Sequence, residues 1–407
     1  MIEKIREREK IIYVISLVVL LAFFMQFFNL PNKASLLYVI LLCMVYFILQ
    51  KKILFGIREF LLLAALSLYI WYSGKRNLNG ISIVLLPLFF QITGRYLISA
   101  AEDKNARLKR MWMLLGVFVA GYTIHAGLNA KIFFDLRSEL WGRHWPDFWT
   151  GVYVPATQHS IYFLPVLALV FPAVLYIRNH KGLCVSVLAA SAFSLWFSII
   201  TQSRIPLLVF ALVFAGEIIL FFIFNQNNKK AKRVLLLCGV VMLALAAIGS
   251  LFVWLNWETV QSSSLYAAFS RDGGILHNVR FQVQRNVLKQ LFIYPFGGYQ
   301  MDLAGLNYAH NVWLDMANAA GIIPFVLLVL YTVLGVYDLL MLLKKDCVCP
   351  GIKYVAAGLW ASLMLYYLVE PALESTVQYI VPWTFISGLI YEYVKRVKSE
   401  VGINEKR

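Results

Sequence analysis

Runs of apolar residues recur along almost the whole chain, and they predict helices that cross a bilayer. Taking a run of roughly 17 to 25 apolar residues as one span, because ~20 helical residues cross a ~30 Å hydrocarbon core, gives about twelve spans. They fall at 11–29, 36–50, 57–73, 81–99, 111–128, 160–177, 182–200, 205–225, 234–255, 320–343, 354–369 and 377–394. In lipid only helices and closed barrels satisfy every backbone polar group, and these runs are too long and too evenly apolar for barrel strands. The pattern predicts an all-α, polytopic membrane protein.

One stretch breaks the pattern. From Trp257 to Asn318 the chain is mostly polar, and a connection this long between packed elements is usually functional. It holds Arg280-Phe-Gln-Val-Gln-Arg-Asn-Val-Leu-Lys-Gln-Leu-Phe292, then Pro295-Phe-Gly-Gly298, then Tyr308-Ala-His310-Asn311-Val-Trp-Leu-Asp315. Three regions follow: a bundle over 1–255 with an outward loop at 129–159, a candidate catalytic loop at 256–319, and closing spans with a tail at 320–407. Helical spacing puts Arg280, Gln284, Val287 and Leu291 on one face and Phe281, Leu288 and Phe292 on the next, as in an amphipathic helix on a membrane surface. Pro295-Phe-Gly-Gly298 should stop that helix. A second short helix should start at His310-Asn311 and end at Gly321, with Asn311 and Asp315 steadying its first turn.

Composition strengthens the membrane assignment. The chain is 61% hydrophobic and only 14% charged, with a mean hydropathy of +0.72, too apolar for a soluble domain. Its net charge of +16 needs no nucleic acid. Most of the Lys and Arg fall in alternate loops, the pattern of residues held on the cytoplasmic side during insertion, and no single basic patch interleaved with aromatics appears. Both termini are then cytoplasmic and the polar loop faces outward, where membrane lipids flank it. The first span has Glu3, Glu7 and Glu9 in its flank and no small-residue cleavage site after it, so it reads as a retained span. The five cysteines map to spans or to the inner face, which predicts free thiols.

Candidate chemistry gathers at the outward side. Thr201-Gln-Ser-Arg204 joins two spans, with Ser203 placed to cap the second helix and Pro206 in its first turn. The helix N-terminus and Arg204 together suit an anion. In the loop 129–159, Arg137 and Arg143 suit an anionic lipid head, while Trp141, Trp145, Trp149 and Tyr153 read as headgroup anchors. The first five spans hold almost no ionisable group apart from His125, which reads as hydrogen-bonded inside the bundle. Glu217 lies mid-span, where it is protonated, paired across the bundle, or less deep than its position suggests. His310, at a helix start, would be kept neutral by the dipole and so able to accept a proton. His277 is a rival base, and His144 and His159 are candidates for acceptor contacts. Glu370 and Glu374, one turn apart, either balance Arg204 or Arg280 or act directly. The outer loops contain no Asp-x-Asp pair.

These segments together resemble the O-antigen ligase and O-antigen polymerase superfamily of bacterial envelope glycosyltransferases. The resemblance rests on Thr201-Gln-Ser-Arg204, Arg280, Phe-Gly-Gly after Pro295, and His310-Asn311 ahead of a span, and it covers roughly residues 185–340. It implies a GT-C-like fold of the inner membrane, with the active site periplasmic and an undecaprenyl-diphosphate-linked glycan as donor, and with neither metal nor cofactor. By position Arg204 and Arg280 would hold the diphosphate and His310 would act on the acceptor hydroxyl, with Asn311, Arg137, Arg143, Glu370 and Glu374 in support. A ligase would use a lipid A-core acceptor; a polymerase would use a second carrier-linked glycan with the same residues. A transporter for lipid-linked glycans is the alternative from another class, disfavoured because paired Gly/Pro-broken helices in two matching halves are not evident.

Overall fold

Helices form where the apolar runs lie. The computed structural model describes residues 2–26, 32–75, 78–101, 103–136, 143–225, 239, 251, 254–255, 257–261, 266, 279–344, 348–375 and 379–404. The expected ninth span (234–255) falls almost wholly outside these residues, as do Arg137, Trp141 and His277. In chain order the helices are α1 (Ile2–Phe24), α2 (Asn32–Gln50), α3 (Ile57–Tyr72), α4 (Leu78–Ser99) and α5 (Lys104–Asp135). A small antiparallel hairpin follows, β1 (His144–Pro146) with β2 (Tyr153–Pro155), and then short pieces, α6 (Ala156–His159), a 3-10 turn (Ser160–Tyr162), α7 (Leu164–Leu167) and α8 (Val170–Tyr176). Beyond them come α9 (Lys181–Ile200), α10 (Arg204–Phe224), α11 (Trp257–Gln261), α12 (Val279–Gln290) and α13 (Val312–Ala320). The chain closes with α14 (Ile322–Lys344), α15 (Pro350–Tyr367), α16 (Ala372–Ser375) and α17 (Val381–Asn404).

The protein is all-α apart from that hairpin. Among the described residues five helices are long and apolar enough to cross a membrane: Gly80–Ser99, Lys104–Asp135, Lys181–Ile200, Arg204–Phe224 and Ile322–Lys344. Leu208, Leu212, Ile219 and Ile223 on α10 stand exposed, as side chains facing lipid would. The expected span at 160–177 is not one helix. Ala156–Tyr162 and Leu164–Tyr176 are bent by 51° at a break, because Pro165 and Pro172 each remove a donor from the helical ladder. The second, fourth and tenth runs became helices close to their expected limits, whereas α5 extends well beyond 111–128 at both ends.

Two glycines bring α4 and α17 into backbone contact. A Cβ on Gly94 would approach Phe385 O to 2.7 Å, and one on Gly388 would approach Gln91 O to 2.2 Å, so only glycine fits either side of the crossing. Beside this seam lies a buried charge cluster that the apolar runs conceal. Arg95, 2% exposed, lies 2.8 Å from Glu59 Oε2 and 3.2 Å from Glu392 Oε2, and it donates to Leu54 O at 3.1 Å. Arg58 meets Asp338 through two bonds of 2.6 and 2.7 Å. The first five spans therefore carry ionisable groups after all, and their partners sit near the other end of the chain.

Removing one member of a buried ion pair strands the other charge. Arg95→Ala should lower stability by about 3–5 kcal/mol, read as a loss of thermal stability in detergent. Lys131→Ala, which breaks the exposed pair with Asp135, should change it by under about 1 kcal/mol.

Candidate functional site

The polar segment folds onto one end of the bundle because the last carbonyls of α15 need donors. The final turn of any helix leaves carbonyls without intrahelical partners. Here Gln284 Nε2 donates to Leu368 O at 3.2 Å, Asn311 Nδ2 to the same oxygen at 3.4 Å, and Arg280 Nη1 to Val369 O at 2.8 Å. Arg280 Nη1 also reaches Glu370 Oε1 at 3.0 Å, and that carboxylate is buried. Burial pushes the Glu370 carboxyl up, opposed by the charges of Arg280 and Arg143. Val283, Val287 and Leu291, on the Arg280 side of α12, pack with Ala309, Leu314 and Ala317. The neighbouring stripe, Phe281, Leu288 and Phe292, is exposed.

Arg143 connects this cluster to the α9–α10 hairpin, its Nε donating to Thr201 O at 3.4 Å. The hairpin closes with Gln202 left-handed (φ 54°), Gln202 N bonding Ile199 O and Ser203 N bonding Ser198 O, two bonds that satisfy the end of α9. Ser203 does not cap α10 with its side chain. Its hydroxyl donates to Ser160 Oγ at 3.2 Å. Arg204 is the first residue of α10 and half-buried, three residues beyond the carbonyl that Arg143 holds. Pro206 lies in the first turn of that helix, as expected.

His310 lies on the other flank of Arg280. Asn311 is the N-cap of α13, its Oδ1 accepting from Trp313 N and Leu314 N at 3.1 Å each, and Gly321 (φ 84°) ends that helix. His310 thus stands just outside the helix, left-handed at φ 53°. Its carbonyl accepts from Gln284 Nε2 at 3.4 Å, and its Nδ1 is buried without a hydrogen-bond partner. Burial, with the Arg280 charge beside it, pulls the imidazole down to about 4. Burial and the guanidinium thus leave the ring neutral near pH 7. Pro295-Phe-Gly-Gly298 docks against the far end of α13. Gly298 N and Tyr299 N donate to Ala319 O and Asn318 O, and a Cβ on Gly297 would meet Ala320 N at 2.5 Å.

The two glutamates separate. Glu370 does balance Arg280, whereas Glu374 takes Lys75 Nζ at 2.5 Å, Tyr69 Oη at 2.6 Å and Tyr299 Oη at 3.1 Å. Lys75 and both tyrosines carry no sequence signal, since nothing near them marks a carboxylate 75 to 305 positions away.

The loop between α5 and α6 is held by a second polar network. Asp147 Oδ2 accepts from His125 Nε2 at 2.6 Å and Asn129 Nδ2 at 3.1 Å, and its Oδ1 accepts from Trp149 N and Thr150 N at 3.1 Å each. Burial works against the Asp147 charge, but these donors outweigh it and hold the carboxyl well below its usual range. His125 is hydrogen-bonded inside the bundle, as expected. His159 is not placed for acceptor contact: it is buried, stacked on Trp145 at 4.2 Å and bonded to Trp145 O and Asn129. Trp145 is likewise buried rather than a headgroup anchor, because Phe133, Phe197 and His159 enclose it. His125 and Asn129, four apart on one helix, were the available signal for this network. Among the described residues no group of His, Cys, Asp and Glu is arranged to hold a metal.

Compared with models of known protein families, the chain matches none, and a search of characterised proteins finds no match either.

Asp147→Ala leaves His125 and Asn129 buried with one partner fewer, a cost of about 1–3 kcal/mol. The loop carrying Arg143 should then open, and limited proteolysis should cut between residues 143 and 155 in this variant while the unaltered protein resists.

Proposed function

We propose that the chain is a multi-pass glycosyltransferase of the bacterial inner membrane, with both termini cytoplasmic and some twelve spans. In this reading it moves a polysaccharide from undecaprenyl diphosphate to a hydroxyl of a lipid A-core acceptor at the periplasmic face, as an O-antigen ligase does. The reading is supported by two contacts, Arg143 with Thr201 O in the Thr201-Gln-Ser-Arg204 hairpin and Arg280 with the buried Glu370, whose carboxyl also feels the Arg143 charge, and by a half-buried His310 that feels the Arg280 charge. Such a set suits the departure of a diphosphate.

As the bond between the anomeric carbon and the phosphate oxygen breaks, its electron pair stays on the diphosphate. Guanidinium forks stabilise that growing charge by charge-assisted hydrogen bonds. The acceptor oxygen attacks from the opposite face and forms the new glycosidic bond with inversion, and its proton passes to the imidazole of His310. Glu370 occupies Arg280 Nη1 before the donor arrives, and the diphosphate would replace it as the counter-charge.

That exchange has a consequence for pH. In the free protein burial and Arg280 hold His310 near about 4, and a diphosphate beside it would raise its proton affinity. His310 must be unprotonated to act, so transfer falls as pH drops through its pKa. The acid limb of kcat/KM should lie near pH 4, and that of kcat at higher pH, towards the unperturbed value of ~6.5.

The test is reconstitution in proteoliposomes with the carrier-linked glycan extracted from a strain lacking the protein and purified core lipopolysaccharide as acceptor. His310→Ala should lower kcat by about 10²–10⁴-fold at unchanged protein level, and Arg280→Ala should lower kcat by at least about 10²-fold. Full activity of His310→Ala refutes the assigned base. The lipopolysaccharide pattern of the deletion strain separates ligase from polymerase: a ligase mutant shows bare core with long polymer left on the carrier, a polymerase mutant shows single repeats on the core.

A further inference from the structure

Directly behind His310, one carboxylate grips the backbone on both of its sides. Asp315 Oδ1 accepts from Ala309 N at 2.6 Å and Oδ2 from Asn311 N at 3.3 Å, while His310 between them stays left-handed at φ 53°. For a residue with a Cβ that conformation costs about 1–2 kcal/mol relative to right-handed backbone, so something must impose it. Asp315 is 2% exposed and lies in the first turn of α13, where Asn311 has already satisfied Trp313 N and Leu314 N. The carboxylate is therefore not needed to cap the helix. Its two oxygens take the amides that the turn at 309–311 would otherwise leave buried without acceptors.

From this geometry we infer that Asp315 is a positioning residue for His310: by bridging the amides of Ala309 and Asn311 it fixes the strained turn that aims the imidazole. The inference rests on the reading of His310 as the proton acceptor. Asp315 sits behind the imidazole, touches no part of the proposed donor path, and acts only through the backbone it holds. Its surroundings agree with a group placed at some cost. Burial, with Glu374 and Glu370 as the nearby like charges, raises its carboxyl to about 8, against the pull of the two amide bonds. A buried acid beside two other carboxylates is retained where neutral packing would be easier, and the clamp is what it does there.

Asp315→Asn keeps the shape but replaces one acceptor oxygen by an NH₂ that cannot accept from a backbone amide. Misplacing a reacting group by about 1 Å can cost about 10²-fold, so kcat should fall by about that factor while KM for the carrier-linked donor stays within twofold. Asp315→Glu, which keeps the carboxyl group but not the span between the two amides, should show the same split and guards against misfolding of the first variant. Both should melt within a few degrees of the unaltered protein in detergent. The decisive comparison is the double variant: if Asp315 acts only through His310, Asp315→Asn adds no further loss to the residual rate of His310→Ala. Unchanged kcat in both Asp315 variants while His310→Ala is impaired overturns the positioning role and leaves the assigned base standing. A further loss in the double variant also overturns it. Full activity of His310→Ala removes the base and the positioning role together.

Discussion

The carbonyls just past the end of α15 are the constraint that the polar segment answers. A helix ending inside a protein must find donors for its last oxygens or leave them stranded at a cost. At Leu368 and Val369 those donors are Gln284, Asn311 and Arg280, three side chains from two helices of the polar segment. A cation at a helix C-terminus also meets the negative end of the dipole. The same bonds that finish α15 therefore fix where Arg280 and Asn311 sit, and so where His310 sits between them. Stability of the bundle end and geometry of the candidate site come from one set of contacts.

Much of this was legible because it is local. The end of α13 at Gly321, the start at Asn311, the tight α9–α10 hairpin and the two-faced α12 all follow from spacing and capping within a dozen residues. What could not be read involves partners far apart in the chain. Arg58 with Asp338, Arg95 with Glu392, Lys75 with Glu374 and Arg280 with Glu370 each join residues 90 to 299 positions apart, and no periodicity records them. The errors share that cause. Ser203 has the ordinary residue type and position of an N-cap, but Ser160, 43 positions earlier, takes its hydroxyl. Trp145 has the composition of a membrane anchor, yet aromatic rings from α5 and α9 close over it. The break between Tyr162 and Leu164 has a local mark in the sequence, Pro165, although the run around it is evenly apolar.

The two polar networks divide the labour differently. Around Asp147 the donors outweigh burial, so the carboxylate is held charged and the loop is locked. Around Glu370 burial outweighs the donors, so its carboxyl is raised towards neutrality. A structural tie wants the first arrangement. A site that must exchange its counter-charge is better served by the second, because a carboxylate held at a cost leaves more readily than one held tightly.

The imidazole makes the same point from the other side. A base pressed down to about 4 by burial and a neighbouring cation is neutral at any physiological pH, yet poor at taking a proton. Its weakness is a property of the empty site, because the guanidinium that lowers it is the group a diphosphate would neutralise. Charge arriving on Arg280 would restore proton affinity to His310 next to it, so the base strengthens only when a leaving group is in place. Under the proposed function, placing the base against the anion-holding arginine is what couples donor binding to chemistry.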